Sequence, residues 1–475
     1  MLELYAPEEA WEELQSRRRL YYDSYTAVFS GEHRELARTA APGSFWSRGG
    51  KVKLHVPAAA DIAATAASLL FGEEPRFSVY DRAEGRTQEE SQARLDAVVG
   101  GCGLMQKLHE AAEACAAAGD VFLKTRYDRE RLDMPEIQVV RGEDALPEYR
   151  MGQLMCIHFF TLLRADSRTG RAWRVYERYE PGRIIAAVYC GDGQRLGASD
   201  PETLAALGLE SECVTPVKRL LAAHVVNMKP SRVWKGEDKG RSDFEGMRDL
   251  MDSLDEIYTS WLRDIRLAKS RLIVPAEFLR RNAGDLFREG AYTYDFDEDV
   301  ETLVALDIGG DGVEQKITPS QFSIRAAEHA ATYEATLRAI VSMAGYSPQT
   351  FGLDIEGSAQ SGTARRMMEK KSLATNAKKQ HYWKAPLEAF LTAVMQLDKA
   401  LYGNAGLDEH DCVRVELHEP EVADPAGTAG AMQLLRQAQA ASTGTLVRML
   451  HPDWQQAQVT EETERILAEN GEKKA

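Results

Sequence analysis

Two amphipathic stretches of nearly equal length, separated by a β-rich segment, constrain the fold of this chain more than any other feature. Apolar residues recur at spacings of three and four within 244–265 and again within 330–344, as on one face of an α-helix. A helix of about 26 residues is roughly 39 Å long. The sequence between the two stretches is rich in turn residues and β formers. The pattern predicts an antiparallel helix pair that carries a small β module at its far end.

Polar residues before each stretch predict where the two helices begin. Ser242 with Glu245 has the spacing of a capping box, and Thr318 with Gln321 repeats that spacing with a proline at the next position. We therefore predict helices over 243–269 and 319–344. The side of the first helix opposite the apolar stripe is charged, with acids early and bases late, as the helix dipole favours. The early acids are Asp249, Asp252, Asp255 and Glu256.

A glycine-rich segment, GYSPQTFGLDIEGSAQSG at 345–362, follows the second helix. Its four glycines, its proline and its small hydroxyl residues predict a mobile loop. The last part has the GxxxxG spacing of a phosphate-binding loop, but Thr363 stands where that loop needs lysine, so we do not expect ATP binding. Residues 363–403 then predict a long helix with a kink at Pro386.

The flanking parts of the chain combine helical and strand patterns. Residues 1–242 contain an alanine-rich helical stretch and several short alternating strands separated by turn signals such as Pro181 and Gly182. After the long helix, a single strand is predicted near 412–418, and helical segments run from Asp424 toward the C-terminus. The predicted fold class is α+β.

Composition limits the possible functions. The formal net charge of −16 disfavours a tight, static grip on nucleic acid, because affinity for duplex DNA comes largely from cations that neutralise phosphates. The six cysteines include no CxxC pair and no histidine at zinc spacing, so we predict reduced core residues and neither a metal site nor a cofactor. The sequence has no apolar run of membrane-spanning length and no apolar core of a secretory signal, so we expect a cytosolic protein without a membrane partner.

No motif of a known enzyme class stands out. The sequence lacks HExxH, GxSxG and a GxGxxG motif between a strand and a helix. Asp295, Asp297 and Asp299 resemble the opening of a calcium loop, but Val300 replaces the glycine of that loop. Together with Glu298 these acids form either an exposed edge that discourages aggregation or a docking face for a basic partner. We therefore do not expect an enzyme.

A basic run follows the glycine-rich loop on the predicted long helix. On a helix this run wraps around much of the surface. The cations either pair with acids, for instance on a neighbouring subunit, or contact the phosphates of a nucleic acid. The run comprises Arg365, Arg366, Lys370, Lys371, Lys378 and Lys379.

The order of these parts resembles the portal family of long-tailed bacteriophages, especially the type found in phages of Gram-positive bacteria. The resemblance spans nearly the whole chain, and its specificity lies in the order and spacing of the matching segments. These segments are LHVPAAADIAATAASLLFGEEPRF, AGDVFLKTRYD, VYERYEPGRI, GRSDFEGMRDLMDSLDEIYTSWLRDIRLAKSRLIVP and AGYSPQTFGLDIEGSAQSGTARRMMEKKS.

The resemblance implies a portal fold and a division of the chain into named domains. A mixed α/β wing would take up 1–242, and a small β-rich clip at 270–318 would separate two stem helices at 243–269 and 319–344. The remaining parts would be a tunnel loop at 345–362, a long kinked helix with a strand that returns to the wing at 363–423, and an α-helical crown at 424–475.

The resemblance also implies a function. Portal subunits form a ring, usually a dodecamer, at one capsid vertex of the virion, after assembly in the cytoplasm of the host bacterium. The ring is a head-tail connector and a channel for packaging and ejection of double-stranded DNA, which it contacts loosely and without sequence preference. The implied partners are the terminase large subunit, the major capsid and scaffolding proteins, and a head-tail adaptor protein.

Three groups of site residues are carried over from the family as expectations. Negative charge in the tunnel loop would disfavour tight phosphate contact and suit a gate, and the acidic edge at 295–299 would dock partners on the clip. Arg338 has an alternative partner in Glu334, four residues earlier. The tunnel loop comprises Gly352, Asp354, Glu356, Gly357, Ser358 and Gly362. The candidate channel residues are Arg325, Glu328, Thr332 and Arg338, which lie off the apolar stripe, and Arg365, Arg366, Lys370 and Lys371.

Two other functions fit parts of the sequence. A different head-tail adaptor or scaffold protein would bind protein partners without a DNA channel, but long paired helices around a β module disfavour that interpretation. A nucleic-acid-processing enzyme with an acidic metal site would need acids from separate elements, and the sequence offers only the group at 295–299. Rings with a central hole in electron micrographs would distinguish a portal from both alternatives.

Overall fold

The computed structural model describes the greater part of the chain. The described residues are 4–49, 52–81, 89–128, 132–234, 236, 238–268, 271–273, 280–282, 293–295, 318–320, 323–353, 362–403, 407, 411–417, 425–451, 454 and 456–472. Helices and antiparallel strands both contribute to the buried core, so the predicted α+β class is confirmed. None of the helices in these ranges combines the length and apolar character that a bilayer-spanning segment requires.

Small residues let the helices of the first part of the chain pack closely. The alanines of two of them, at 58–71 and 104–118, lie on their buried sides, and the separation of packed helices depends on the side chains at the contact. The helices are α1 (Pro7–Arg17), α2 (Asp23–Ser30), α3 (His33–Arg38), α4 (Ala58–Phe71), α5 (Glu89–Gly101) and α6 (Leu104–Ala118), with a π-helical turn at Arg18–Tyr22 and strand β1 (Arg76–Asp81) after α4.

Antiparallel strands follow α6. The predicted hairpin is present, because Glu180 pairs with Arg183 across a turn in which Gly182 has a φ of 84°. The strands are β2 (Asp120–Arg126), β3 (Glu136–Arg141), β4 (Ala145–Arg150), β5 (Gln153–Asp166), β6 (Arg171–Glu180), β7 (Arg183–Gly191), β8 (Ala198–Ser199), β9 (Glu212–Val214) and β10 (Ala222–Val226), with helix α7 (Pro201–Ala206) between β8 and β9. One sheet has the order β10-β2-β3, and another has the order β4-β5-β6-β7-β8 with β9 on β7.

The two amphipathic stretches form helices α8 (Arg248–Leu267) and α9 (Ala326–Ala344), both of which begin later than predicted. The capping box at Ser242 is wrong for a physical reason. The Glu245 carboxylate is buried and accepts hydrogen bonds from the Tyr21 hydroxyl at 2.8 Å and the Ser231 hydroxyl at 2.7 Å. A side chain that is occupied by these distant partners cannot cap the start of α8.

The second predicted capping box is also wrong, because Thr318 lies in a strand. The β module between the two helices contains β11 (Arg271–Ile273), which pairs with β14 (Thr318–Ser320), and β12 (Arg280–Asn282), which pairs with β13 (Thr293–Asp295). Strand pairing thus occupies the chain as far as Ser320, and α9 begins only at Ala326.

A single long helix, α10 (Gly362–Tyr402), connects the helix pair to the main core. It continues through Pro386, where a kink was predicted. Strand β15 (Asp411–Glu416) follows and pairs antiparallel with β1, which confirms a strand near 412–418 that returns to the N-terminal part. The C-terminal helices are α11 (Pro425–Gln437), α12 (Thr443–Leu450) and α13 (Gln456–Glu472).

The largest hydrophobic cluster contains residues from both ends of the chain. The Trp383 ring of α10 is fully buried and meets the Phe71 ring of α4 edge-on, with 5.0 Å between the ring centroids. Leu387 and Phe390 belong to the same cluster, and their helix also packs against β10 and β15. The region that follows the helix pair is therefore part of the same core as residues 58–126, whereas the division into named domains stays a prediction.

Candidate functional site

Aromatic contacts hold α8 and α9 together. The ring of Tyr258 lies 5.8 Å from that of Tyr333, measured between centroids, and the ring of Trp261 is stacked on His329 at 6.0 Å with an angle of 8° between the planes. Tyr258, Trp261 and Tyr333 belong to the predicted apolar stripes, whereas His329 precedes the second stripe. The antiparallel helix pair of the sequence prediction is present as a packed unit.

An ion cluster joins the same two helices near the β module. The Asp264 carboxylate of α8 lies 2.9 Å from the guanidinium of Arg325 and 2.9 Å from Nε2 of His329. Hydrogen bonds from His329 and from Arg325 lower the pKa of Asp264. Arg325, which was predicted to face a channel, is exposed but also holds the first turn of α9 to α8.

Helix α8 is anchored to the N-terminal part through a buried acid. The Asp255 carboxylate accepts hydrogen bonds from the Trp46 indole at 2.8 Å and from the backbone N–H of Val56 at 2.7 Å, and Nδ1 of His55 lies 2.9 Å away. The predicted charged outer face of α8 is therefore wrong at Asp255 and at Asp252, which are both buried. Trp46, His55 and Val56 therefore contact this side of the helix.

A second buried ion pair joins the start of α8 to α10. The Asp243 carboxylate pairs with the Lys379 ammonium and accepts hydrogen bonds from the Tyr346 hydroxyl and from the Asn227 amide, each at 2.7 Å. Burial and the charge of Asp243 raise the pKa of Tyr346 well above its usual value. Lys379 was assigned to a basic surface run, but it is only 2% exposed, so it binds no external phosphate.

The C-terminal end of α9 is fixed against α10. Gly345 ends the helix with a φ of 100°, and its carbonyl accepts a hydrogen bond from the Thr375 hydroxyl at 2.6 Å. The Ser372 hydroxyl accepts a hydrogen bond from the backbone N–H of Ser347 at 2.8 Å, and the Lys371 ammonium donates to the carbonyl of Ser342. The end of α9 is thus held against residues 371–375 of α10.

The predicted channel residues of α9 fall into two groups. Arg325, Glu328 and Thr332 are exposed, although Arg325 also pairs with Asp264 of α8. The Thr332 hydroxyl donates to the carbonyl of Glu328 at 2.7 Å. Arg338 is half-buried and pairs with Glu334 at 2.7 Å, as the alternative interpretation expected. Glu328 and Thr332 are therefore open to solvent, whereas Arg325 and Arg338 each have an ion-pair partner.

Several predicted site residues lie wholly or partly outside the described residues. Gly352, with a φ of 72°, ends a short turn at Pro348–Phe351, and Gly362 is the first residue of α10. Lys370 is exposed, as is Lys371. Asp295 is described only as the last residue of strand β13. The residues outside the description are Asp354, Glu356, Gly357, Ser358, Asp297, Glu298 and Asp299, together with the side chains of Arg365 and Arg366.

Sequence reasoning missed a buried ion cluster around Asp120 at the start of β2. Asp120 lies 3.3 Å from the ammonium of Lys239 and 3.4 Å from Nε2 of His224, and it accepts a hydrogen bond from the Tyr22 hydroxyl at 2.8 Å. Burial raises the pKa of Asp120, but Lys239, His224 and Tyr22 outweigh burial and lower that pKa to about 2. No local pattern signals this cluster, because its members come from four separate segments.

One family model matches most of the chain. The model of the family described as "Phage portal protein, SPP1 Gp6-like" matches residues 48–475. No curated protein matches the chain. Among solved structures, a chain of the "Neck of empty GTA particle computed with C6 symmetry" is 13% identical with a TM-score of 0.41, and the match covers 86% of this chain and 90% of that chain. A chain of the "Virion of native gene transfer agent (GTA) particle" is 11% identical with a TM-score of 0.39, and the match covers 83% of this chain and 89% of that chain.

Proposed function

The chain belongs to the SPP1 Gp6-like family of phage portal proteins, and we propose that its subunits form a ring around a DNA channel lined by helix α9 and the loop after it. Portal proteins are structural and not enzymatic. As a member of this family, the chain is a head-tail connector and a component of the virion. The proposal adds the ring, the identity of the channel wall and the passage of double-stranded DNA to this assignment.

The open side of α9 is the observation that carries the proposal. Tyr333 and Leu337 pack toward α8 and the body, whereas Glu328, Thr332 and Ala335 are exposed. An exposed wall of small side chains with charges of both signs makes few strong contacts with phosphate. A ring repeats this weak contact around the duplex, which suits DNA that has to slide.

The loop between α9 and α10 is the proposed gate of the channel. Asp354 and Glu356 give it negative charge, which repels the phosphates of DNA. The hydrogen bonds of Gly345 and Ser347 with α10 support this role, because a loop whose two flanking helices are fixed to each other can move only between those fixed points.

The remaining partners follow from the same assignment. We propose a dodecameric ring that assembles in the host cytoplasm with the major capsid and scaffolding proteins. The β module at 270–318 would bind the terminase large subunit and the head-tail adaptor protein, with the acids at 295–299 as the docking face for a basic partner.

Electron microscopy of the purified protein tests the ring. We expect rings with a central hole wide enough for duplex DNA. A protein that stays monomeric or dimeric under all assembly conditions would contradict the proposed channel, and particles without a hole would favour an adaptor or scaffold role.

Charge reversal in the loop tests the gate. The double variant Asp354→Lys and Glu356→Lys should still form rings but should package or retain less DNA, because the added cations attract phosphate. A matched control is Glu202→Lys with Glu210→Lys, two exposed acids in and after α7. Packaging that is unchanged in the loop variant would rule out a gating role.

A further inference from the structure

A cysteine, a histidine and a glutamate converge on one face of the β4–β5 hairpin. Antiparallel pairing places Glu148 of β4 directly opposite Cys156 of β5. His158 follows Cys156 at the second position, and side chains two residues apart in a strand point to the same face. All three side chains are buried, with exposures of 3% or less.

The distances among the three ligand atoms match those around a tetrahedral zinc ion. Nε2 of His158 lies 3.3 Å from Oε2 of Glu148 and 3.4 Å from Sγ of Cys156, and Oε2 of Glu148 lies 3.7 Å from Sγ. Ordinary bond lengths from zinc to nitrogen, oxygen and sulfur at tetrahedral angles give separations of about 3.4, about 3.6 and about 3.6 Å, in the same order.

The surroundings orient each ligand as metal sites require. Nδ1 of His158 lies 3.0 Å from the Tyr176 hydroxyl, which can fix the ring with Nε2 free to bind a metal. Oε2 of Glu148 accepts a hydrogen bond from the backbone N–H of Tyr5 at 3.0 Å and keeps a second lone pair. Arg150 pairs with the other oxygen, Oε1, which leaves Glu148 to bind through one atom.

We propose that Glu148, Cys156 and His158 bind one divalent zinc ion, with a water molecule as the fourth ligand. Binding breaks the S–H bond of Cys156, forms a bond between sulfur and zinc, and releases the proton to solvent. The thiolate and the carboxylate then balance the two charges of the ion. Glu148 also lines a pocket of about 460 Å³ that opens to solvent.

The site would have a structural role. Its ligands tie the edge strand of a sheet to the next strand, and Glu148 extends the connection to Tyr5 in the N-terminal segment. No metal was expected from the sequence, because a Cys-x-His pair becomes informative only when strand pairing adds the third ligand. The same three groups can alternatively form a hydrogen-bonded cluster without metal, and measurements of bound metal distinguish the two states.

Metal content is the first test. Protein purified from medium with zinc should retain about one zinc ion per chain after gel filtration. The variants Cys156→Ser, His158→Gln and Glu148→Gln should lose most of it, whereas Cys115→Ser, which changes another fully buried cysteine, should retain it. Tyr176→Phe should weaken zinc binding by about 10–100-fold. Wild-type protein without zinc, or zinc retained in the double variant Cys156→Ser with His158→Gln, would overturn the proposal.

Cobalt provides a test that does not depend on the folding of variants. Cobalt(II) added to metal-free wild-type protein should give the charge-transfer absorption of a thiolate ligand and the visible bands of tetrahedral cobalt. Zinc should abolish both signals by displacing the cobalt. A wild-type spectrum without a thiolate band would contradict the site, even if every variant proved insoluble.

Discussion

At the scale of single residues, the buried charges of this chain hold segments together that are distant in sequence. Asp120 binds Lys239, and Asp243 binds Lys379, each in a region closed to solvent. Removal of one partner from such a pair leaves an uncompensated buried charge, which is strongly destabilising. In the sequence these residues look like surface charges, because burial is a property of the fold and not of the local pattern.

Acid should weaken the protein through Asp120. The pKa of this carboxyl is about 2 in the folded chain and about 4 in an unfolded chain. Its contribution to stability is therefore fully present above about pH 4 and is lost as the pH falls through about 2, a change of about 2 kcal/mol. Chemical denaturation across this pH range should show the loss, and the double variant Asp120→Asn with Lys239→Met should show a smaller one. An equal loss of stability in that variant would show that Asp120 is not the group responsible.

The Tyr346 hydroxyl should contribute measurably to the stability of the fold. Its hydrogen bond to the buried carboxylate of Asp243 is charge-assisted, so Tyr346→Phe should lower the free energy of unfolding by about 1.5–3 kcal/mol. The matched control is Tyr333→Phe, which alters a ring packed on Tyr258 and should cost less than about 1 kcal/mol. Equal effects of the two variants, measured by chemical denaturation, would show that the hydrogen bond adds little.

At the scale of elements, the chain shows which features of a helix pair can be read from sequence. The apolar spacing within 244–265 and 330–344 predicted α8 and α9 correctly, because core-facing residues must recur with the helical period. The predicted start of each helix was wrong. The Glu245 side chain accepts a hydrogen bond from Tyr21 and does not cap α8, and Thr318 lies in a paired strand and does not begin α9. Capping signals depend on side chains that tertiary contacts can take over.

The junction of α9 and α10 makes a specific prediction at Gly345. A side chain there would be strained by the φ of 100°, and its Cβ would lie 3.0 Å from the Thr375 hydroxyl. Gly345→Ala should therefore destabilise the protein by at least about 1 kcal/mol. Gly430→Ala in α11, where a Cβ meets nothing within 4 Å, should be neutral or stabilising by up to about 1 kcal/mol. Thermal unfolding that ranks the two variants in the opposite order would contradict the strain.

The candidate zinc site could not be predicted from the sequence, because its ligands meet only through strand pairing. Cys156 and His158 are visible as neighbours in the sequence, but Glu148 joins them only through the register of β4 and β5. Hairpin register depends on turn geometry and on which face is buried. A search of the sequence for metal motifs with fixed spacing does not find these three residues.

At the scale of the whole molecule, weak contacts become important through repetition. Within a proposed ring, the exposed side of α9 would be presented to DNA once per subunit. One added cation per subunit therefore becomes a ring of cations, and each phosphate contact steepens the dependence of DNA affinity on salt.

Cations placed on α9 should turn a sliding surface into a binding surface. The exposed residues Ala331 and Ala335 can each be changed to lysine without loss of core packing. The double variant should bind duplex DNA more tightly than wild type, with a salt slope steeper by about 0.9 for each phosphate contact, and should package DNA more slowly. The surface control Glu202→Lys with Glu210→Lys should leave packaging unchanged. Unaltered DNA affinity of the α9 variant would show that this face is turned away from the DNA.

Helix α10 has a mechanical consequence. It runs without interruption over 41 residues, and its first 22 residues, or about 33 Å, lead from the end of the proposed gate to the buried ring of Trp383. A helix resists compression along its axis, so a push at Gly362 becomes a displacement of the core and not a local bend. The Lys379–Asp243 ion pair fixes this helix to the segment before α8, shortly before Trp383. In the proposed ring, a force on the gate would therefore reach the hydrophobic core around Trp383.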